Sequence, residues 1–488
     1  MLKRLLPIVK KKHEIGVIQV INYANTNLYI EPDVDMVNLP SGSNATGNPE
    51  SYSALKYGAA TSITTKEPTF RKSSLKTVYR WLEAKRQDDR AEGLWRIHDD
   101  LYDLTEFIGR HPGGADWIRL TKGTDITEVF EMHHIRNYAS QLLPMYKVRV
   151  AHERRTIRYT FHEQGFYRTL KRKVSAKLET LDQRPARYSE IIQDLLMIST
   201  FALAWFATYM NSYLVAALCG WILALTMICA HNFFHRKDNW RMLIFNLAFL
   251  SYREWRISHV ISHHSYPNSI QDLELLFFEP FLCWFVHPKK SLLQRFGSWF
   301  LEPIVYAVLL SDGLIKRIVE TCTTENNTFF VEDMIPLVLP IFLYSTCSQS
   351  LTTVLIIWTI ILIVASFLFG FIGLSAAHHH PAIVHSGDLL PSEIDFGVYQ
   401  LAATADSSDK KVCQFQVLTG FGDHCLHHLF PTMDHGMLAQ LYPTFLETCA
   451  EFELEYQEFS WWQMFVGQYR QLARIIPSDY LVSSEKNI

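Results

Sequence analysis

The sequence predicts a multidomain chain, a small α+β unit followed by an all-α membrane unit with four transmembrane helices in two hairpins. Three observations carry this. At 488 residues the chain is too long for one ordinary domain. Apolar residues make up 48% and charged ones 19%, with a mean hydropathy of +0.01. That is too apolar for a wholly soluble protein and too polar for a wholly membrane one. Apolar runs of about the 20 residues needed to cross a bilayer occur only after residue 188. The net charge of −3 is nearly balanced and gives no footprint for nucleic acid. The eight cysteines are scattered without a CxxC pair, as expected of reduced thiols.

Taken in order, "MLKRLLPIVKKK" is basic, but its apolar run is too short for a signal peptide. Residues 38–72 are rich in Ser, Gly, Asn, Thr and Pro, so 1–73 is expected to be disordered. The sequons at Asn44 and Asn326 carry no weight, since such triplets arise by chance. Residues 74–150 mix an amphipathic stretch with short apolar runs and form the expected α+β unit. Residues 151–188, with "RTLKRKVSAKLE", read as a basic helical linker lying on an anionic membrane surface. The membrane unit is expected over 189–450 and a cytosolic tail over 451–488.

Within the membrane unit, the runs 189–210 and 212–231 are joined by a turn at Asn211 and Ser212. A second apolar block starts at Met334 and divides at "CSQS" (347–350) into a short Pro-containing span and a long one, 351–377. Two hairpins return the chain to its starting side. The turns lack Lys and Arg while the flanks are rich in them, which makes the starting side cytosolic. Runs at 274–286 and 299–310 are short or interrupted and are expected as amphipathic helices in the interface.

The histidines gather at the cytosolic ends of these spans. His231 and His235 in "HNFFH" stand one helical turn apart, as do His259 and His263 in "HVISHH", with His264 beside them. "HHH" (378–380) follows the last span, and "HCLHH" places His424, His427 and His428 at i, i+3 and i+4. One HxxxH pair is more often core than ligand. Four clusters on one membrane face are not, because neutral imidazole is a good ligand for iron, copper, nickel and zinc. Nine or more donors exceed one tetrahedral site and suit two metals with open positions.

"HNFFH", "HVISHH" and "HCLHH" followed by "LFP" resemble the three histidine boxes of the membrane fatty acid desaturase/hydroxylase superfamily, over about 189–450. The resemblance implies two non-haem irons that activate O2 against an unactivated acyl chain. Its ligands would be His231, His235, His259, His263, His264, His424, His427 and His428. "SAAH" (375–378) resembles the family's extra ligand and points to His378, with His379 or His380 as alternatives. There are departures. The second box has three residues before its His pair where many desaturases have two. His424 stands where many fused front-end desaturases have Gln, and Leu374 where acyl-CoA desaturases have Asn.

Upstream, "LWRIHDDLYDLTEFIGRHPGGADWIRLTKGTDITEVFEMHHI" (94–135) resembles cytochrome b5. That implies haem b held by His111 and by His133 or His134, with the alignment of "DITEVFEMHH" favouring His134. With both axial positions filled, such a haem transfers electrons and does not bind O2. From about 68 to 480 the chain resembles the cytochrome b5-related subfamily of these fused proteins. The resemblance implies a fatty acyl or lipid substrate, surrounding membrane lipids, O2, and electrons from an NADH-cytochrome b5 reductase. It also implies a multi-pass protein of the endoplasmic reticulum. A lipid hydroxylase, a non-catalytic anchored electron carrier and a metal-bearing membrane scaffold are the competing readings. The aromatic run "LELLFFEPFLCWFVHP" (273–288) either lines a substrate tunnel or packs against lipid.

Overall fold

The computed structural model describes residues 60–324 and 328–480. Of the segment expected to be disordered, 1–59 lies outside the described residues, while 60–73 is ordered. Ala60 exchanges backbone hydrogen bonds with Leu390 (2.8 and 2.7 Å), and Ile63 and Phe70 are buried. Two buried apolar side chains anchor a stretch whose composition reads as loop.

The α+β unit holds an antiparallel sheet of Trp95–Ile97, Asp100–Tyr102 and Lys147–Val150. Helices Ala115–Leu120 and Thr127–His133 close a small core of Trp95, Ile97, Tyr102, Leu104, Ile118, Ile126 and Phe130. The indole Nε1 of Trp95 donates to Ile118 O at 2.9 Å, so the large buried ring leaves no polar atom unpaired.

Four helices are long and apolar enough to cross a membrane: Arg184–Tyr209, Tyr213–Phe234, Leu293–Thr323 and Leu351–Leu374. The first two form the expected hairpin, with Asn211 at φ +47° in the turn and Ser212 capping the return helix through Val215 N. That return helix meets Leu351–Leu374 closely. A Cβ on Gly220 would lie 2.7 Å from Ile361 O, so the approach requires glycine.

The third of these helices corrects an expectation. The block at 334–347 forms a 3₁₀ turn, Val331–Leu337, and a helix of only nine residues, Val338–Thr346. Pro336 sits inside the turn, and a proline has no N–H to continue a regular helix. The segment begins beside Arg253, which pairs with Glu332 at 2.9 Å on the histidine side. It ends at the turn of the first hairpin, where Gln349 Nε2 donates to Tyr209 O at 3.4 Å. It is not one of the four helices long and apolar enough to cross a membrane.

Residues 299–310, expected as an interfacial helix, belong to the much longer helix Ser298–Thr323. Both ends of that helix are tied to histidine-side elements: Arg295 Nε donates to Ala473 O at 3.0 Å, and Arg317 pairs with Glu254 at 2.8 Å. Phe300, Ile304, Val308 and Ile315 point outward along it. The expected short interfacial helix is thus part of an element long and apolar enough to cross a membrane.

Residues 274–286 are not an interfacial helix. Only Leu273–Leu276 is helical, and Leu282, Trp284 and Val286 are buried inside the fold. The basic stretch expected on the membrane surface also packs inward. Helix Phe166–Lys177 buries Phe166, Tyr167, Leu170 and Val174, and Lys171 reaches Glu131 of the α+β unit at 2.8 Å. The tail is integrated too: Gln457–Phe459 pairs in parallel with Ala405–Ser407, and helix Trp461–Ala473 follows.

Candidate metal centres and haem site

His231 and His235 close the second long helix, where one turn of spacing sets both rings toward the same side. His259 and His263 lie on a π-helical turn, Arg256–His263, and His264 N bonds back to His259 O at 2.9 Å. A π-turn puts extra residues into one turn and recurs at functional sites. Here it sets the histidines of the second box toward a common interior. The third box forms the helix His424–Leu429, entered through Asp423 at φ +54°. His378 leaves the last long helix and is fixed by its Nδ1 donating to Ala403 O at 3.0 Å.

These elements sort the nine candidate histidines into two sets. One is His231, His235, His259, His264 and His427; the other is His263, His378, His424 and His428. Within each set the ligand atoms lie within 4.8 Å of one another. In the first, His231 Nε2 stands 2.7 Å from His259 Nε2 and 2.9 Å from His235 Nε2. In the second, His378 Nε2 stands 2.7 Å from His424 Nε2 and 3.1 Å from His263 Nε2. His379 belongs to neither set, since its ring stacks on Trp284 at 4.2 Å. His380 stacks on Phe459 at 4.1 Å and is likewise outside. Of the three adjacent histidines only His378 joins a cluster.

All nine side chains are buried. Burial, and then the crowding of neighbouring imidazoles, push His264, His427 and His428 well below the ordinary histidine pKa. They are held neutral, the form that ligates. His263 differs. Burial lowers it, but Asp272 and Glu274 outweigh burial and hold it above its usual value. Two carboxylates thus favour positive charge at this edge, which a bound cation would supply. Nε2 of His427 and of His428 have no hydrogen-bond partner although both are fully buried. Orphaned nitrogens facing other imidazoles are costly without a ligand, so the donor set fits bound metal.

Outer partners orient several of these imidazoles. His259 Nδ1 meets Glu274 at 3.0 Å, His263 Nδ1 meets Asp272 at 2.8 Å and His428 Nδ1 meets Gln400 at 3.0 Å. His427 Nδ1 is held by His435 Nε2 at 2.9 Å. Asn268, at φ +57° and fully buried, donates its amide to the carbonyls of His378, Val384 and Ala403. Two acidic residues inside an otherwise apolar run, "QDLELLFF", were the one available signal. Glu274→Ala is expected to weaken metal binding about 10- to 100-fold, as loss of such outer partners does. Chelator titration of the metal-loaded protein measures it. Leu374, at the end of the last long helix, offers no polar group to either set.

The haem unit presents a second pair of rings. His111 Nδ1 lies 2.9 Å from Gly114 O and His134 Nδ1 lies 3.0 Å from Phe130 O. A carbonyl only accepts, so both Nδ1 atoms carry the proton and both Nε2 atoms are free to ligate. The ring centres are 6.2 Å apart. Two imidazoles on one iron need about 6.4 Å, from bonds of about 2.0 Å and about 1.2 Å from nitrogen to ring centre on each side. His133 instead meets Trp117 edge-on at 5.3 Å. Burial lowers His133 to about 3 and His134 to about 4, so both are neutral. A Cβ on Gly113 would stand 2.9 Å from His111 Cε1, and Gly114 sits at φ +121°, which explains both glycines of "HPGG".

Comparison with known proteins agrees with this geometry. A family model described as fatty acid desaturase matches residues 204–460, and one described as cytochrome b5-like heme/steroid binding domain matches 80–152. A "Cytochrome b5-related protein" of Drosophila melanogaster is 46% identical over 419 residues, covering 85% of this chain and 96% of its own. "Probable Delta(5) fatty acid desaturase C" of Dictyostelium discoideum is 26% identical, covering 79% of this chain and 92% of its own. An "Acyl-lipid (8-3)-desaturase" of Mortierella alpina is 24% identical over 81% and 96%. No solved structure matches the chain. Two buried histidine sets among apolar helices, with a haem-type histidine pair ahead of them, thus accompany both family matches: the chain is a membrane protein of the fatty acid desaturase family that carries a cytochrome b5-like domain.

Proposed function

We propose that the chain is an O2-dependent fatty acyl desaturase that draws electrons from its own haem b. The observation that carries this is the sorting of nine buried histidines into sets of five and four, each converging its ring nitrogens. His111 and His134 would hold the haem. One non-haem iron would be held by His231, His235, His259, His264 and His427, the other by His263, His378, His424 and His428. Two irons in such a site supply activation of O2. The chain's residues bury the centre away from water, orient His259, His263, His378, His427 and His428 through outer partners, and bring haem and iron sites together in one polypeptide. The reaction converts –CH2–CH2–, O2, two electrons and two protons into –CH=CH– and two waters.

The haem unit would occupy 74–150, the connecting segment 151–188 and the metal-bearing membrane unit 189–450. The electron source would be an NADH-cytochrome b5 reductase and the substrate a lipid acyl chain. The charge bias of the flanks over the turns supports a cytosolic face for the histidines, and the family resemblance supports an endoplasmic reticulum address. One observation favours a second reading, a membrane-anchored electron carrier without oxygenase chemistry: Leu374 puts an apolar side chain where the resemblance to acyl-CoA desaturases leads one to expect Asn. The test is non-haem iron per haem in the purified protein, followed by lipid analysis of expressing cells. About two irons per haem with new double bonds is the expected result. Hydroxylated acyl chains would make it a hydroxylase, and haem with no further metal after anaerobic iron loading would leave the carrier.

A further inference from the structure

The haem unit does not hang on a loose tether. Arg253 pairs with Asp116, Tyr266 OH donates to Glu128 Oε2 at 3.1 Å, and Lys171 pairs with Glu131 at 2.8 Å. Its histidine-bearing edge faces the boxes. Asp238, three residues after His235, donates its backbone N–H to Gly113 O at 3.2 Å, and its carboxylate fills the space a Cβ on Gly114 would need.

Beside this contact lies Arg256, 1% exposed and three residues before His259. Its Nε donates to Phe234 O at 3.0 Å, next to His235, and Nη1 to Asp238 Oδ1 at 2.7 Å. Its guanidinium lies 4.5 Å over the Trp117 ring, and Trp117 packs on His133, the neighbour of His134. Thr432, four residues beyond His428, closes the contact by donating to His133 O at 3.5 Å. Residues flanking all three boxes therefore touch the same edge of the haem unit. A buried guanidinium is costly to desolvate, and its planar fork and stacking face are what this junction uses.

We infer that Arg256 and Trp117 are positioning residues that hold the haem edge against the histidine boxes, so that electrons pass within one chain through this junction. The inference rests on the oxygenase reading. For each double bond formed, a flavoprotein reductase delivers two electrons singly. With haem held by His111 and His134, each electron would pass through this edge singly. In balance the acyl chain loses two hydrogens, and O2 with those two hydrogens, two electrons and two protons becomes two waters. Tunnelling falls off steeply with separation, so a junction that opens slows transfer without touching either set of ligands.

The test uses the full chain loaded with haem and iron, as Arg256→Met, Arg256→Lys and Trp117→Leu. Expected are unchanged haem and iron content, unchanged haem reduction by reductase, and haem reoxidation under O2 and acyl substrate slowed about tenfold in Arg256→Met and Trp117→Leu. Arg256→Lys is expected to recover part of the rate. Deuterium uptake at residues 111–118 should rise in Arg256→Met, a readout independent of turnover. Unchanged reoxidation, unchanged uptake, or slowing only in proportion to lost haem or iron would overturn the inference. A native chain whose haem reoxidises no faster than that of His427→Ala would instead remove the oxygenase reading. The uptake measurement would then still decide whether Arg256 pins the haem edge.

Discussion

The His427→Ala protein is expected to bind haem as the native chain does and to form no double bonds. His427 is fully buried, its Nδ1 is held by His435 and its Nε2 faces the five-histidine set without any other partner. Removing it takes one donor from that set. It also leaves His435 without its imidazole partner, in a chain where His435 Nδ1 is already unpaired. Neither change reaches the haem unit's own core of Trp95, Ile118 and Phe130. Non-haem iron should therefore fall while the haem absorbance stays. Lipid analysis of cells expressing the variant reads the loss of product. Native levels of double bonds in those cells would exclude His427 as a ligand.

The second large effect is expected at the haem. His134→Ala should lose the six-coordinate, low-spin haem spectrum, and His133→Ala should keep it. The two residues are neighbours in sequence, but their rings part. His134 stands with its centre 6.2 Å from that of His111, while His133 turns to Trp117 and carries an unpartnered Nε2. Haem content after reconstitution and the reduced-minus-oxidised spectrum separate the two. If His133→Ala were the variant that lost the low-spin spectrum, the ligand assignment would be reversed.

Much of the site was legible because helical spacing is local. Residues four apart share a face whatever surrounds them, so "HNFFH", "HVISHH" and "HCLHH" announce themselves. The partners that orient them did not. Glu274, Asp272, Gln400 and His435 meet their histidines through turns and packing that have no fixed spacing. Three of the four expected spans, over 189–210, 212–231 and 351–377, were also legible, since apolar length is a property of composition. The role of Ser298–Thr323 was not. It is long and apolar enough to span, and its ties through Arg295 to Ala473 and through Arg317 to Glu254 join residues far apart in the chain.

The sequence by itself determined which residues are available: the histidine pairs, the "HPGG" turn, the long apolar runs and the order of the two units. Only the tertiary structure decided how the histidines divide into five and four, which of His378, His379 and His380 joins them, and where the haem edge rests. The physical reason is separation along the chain. A ligand set drawn from positions 231 to 428, and a contact between residues 113 and 238, depend on which faces pack together. Burial and hydrogen-bond satisfaction over the whole fold decide that packing, and no local period records it.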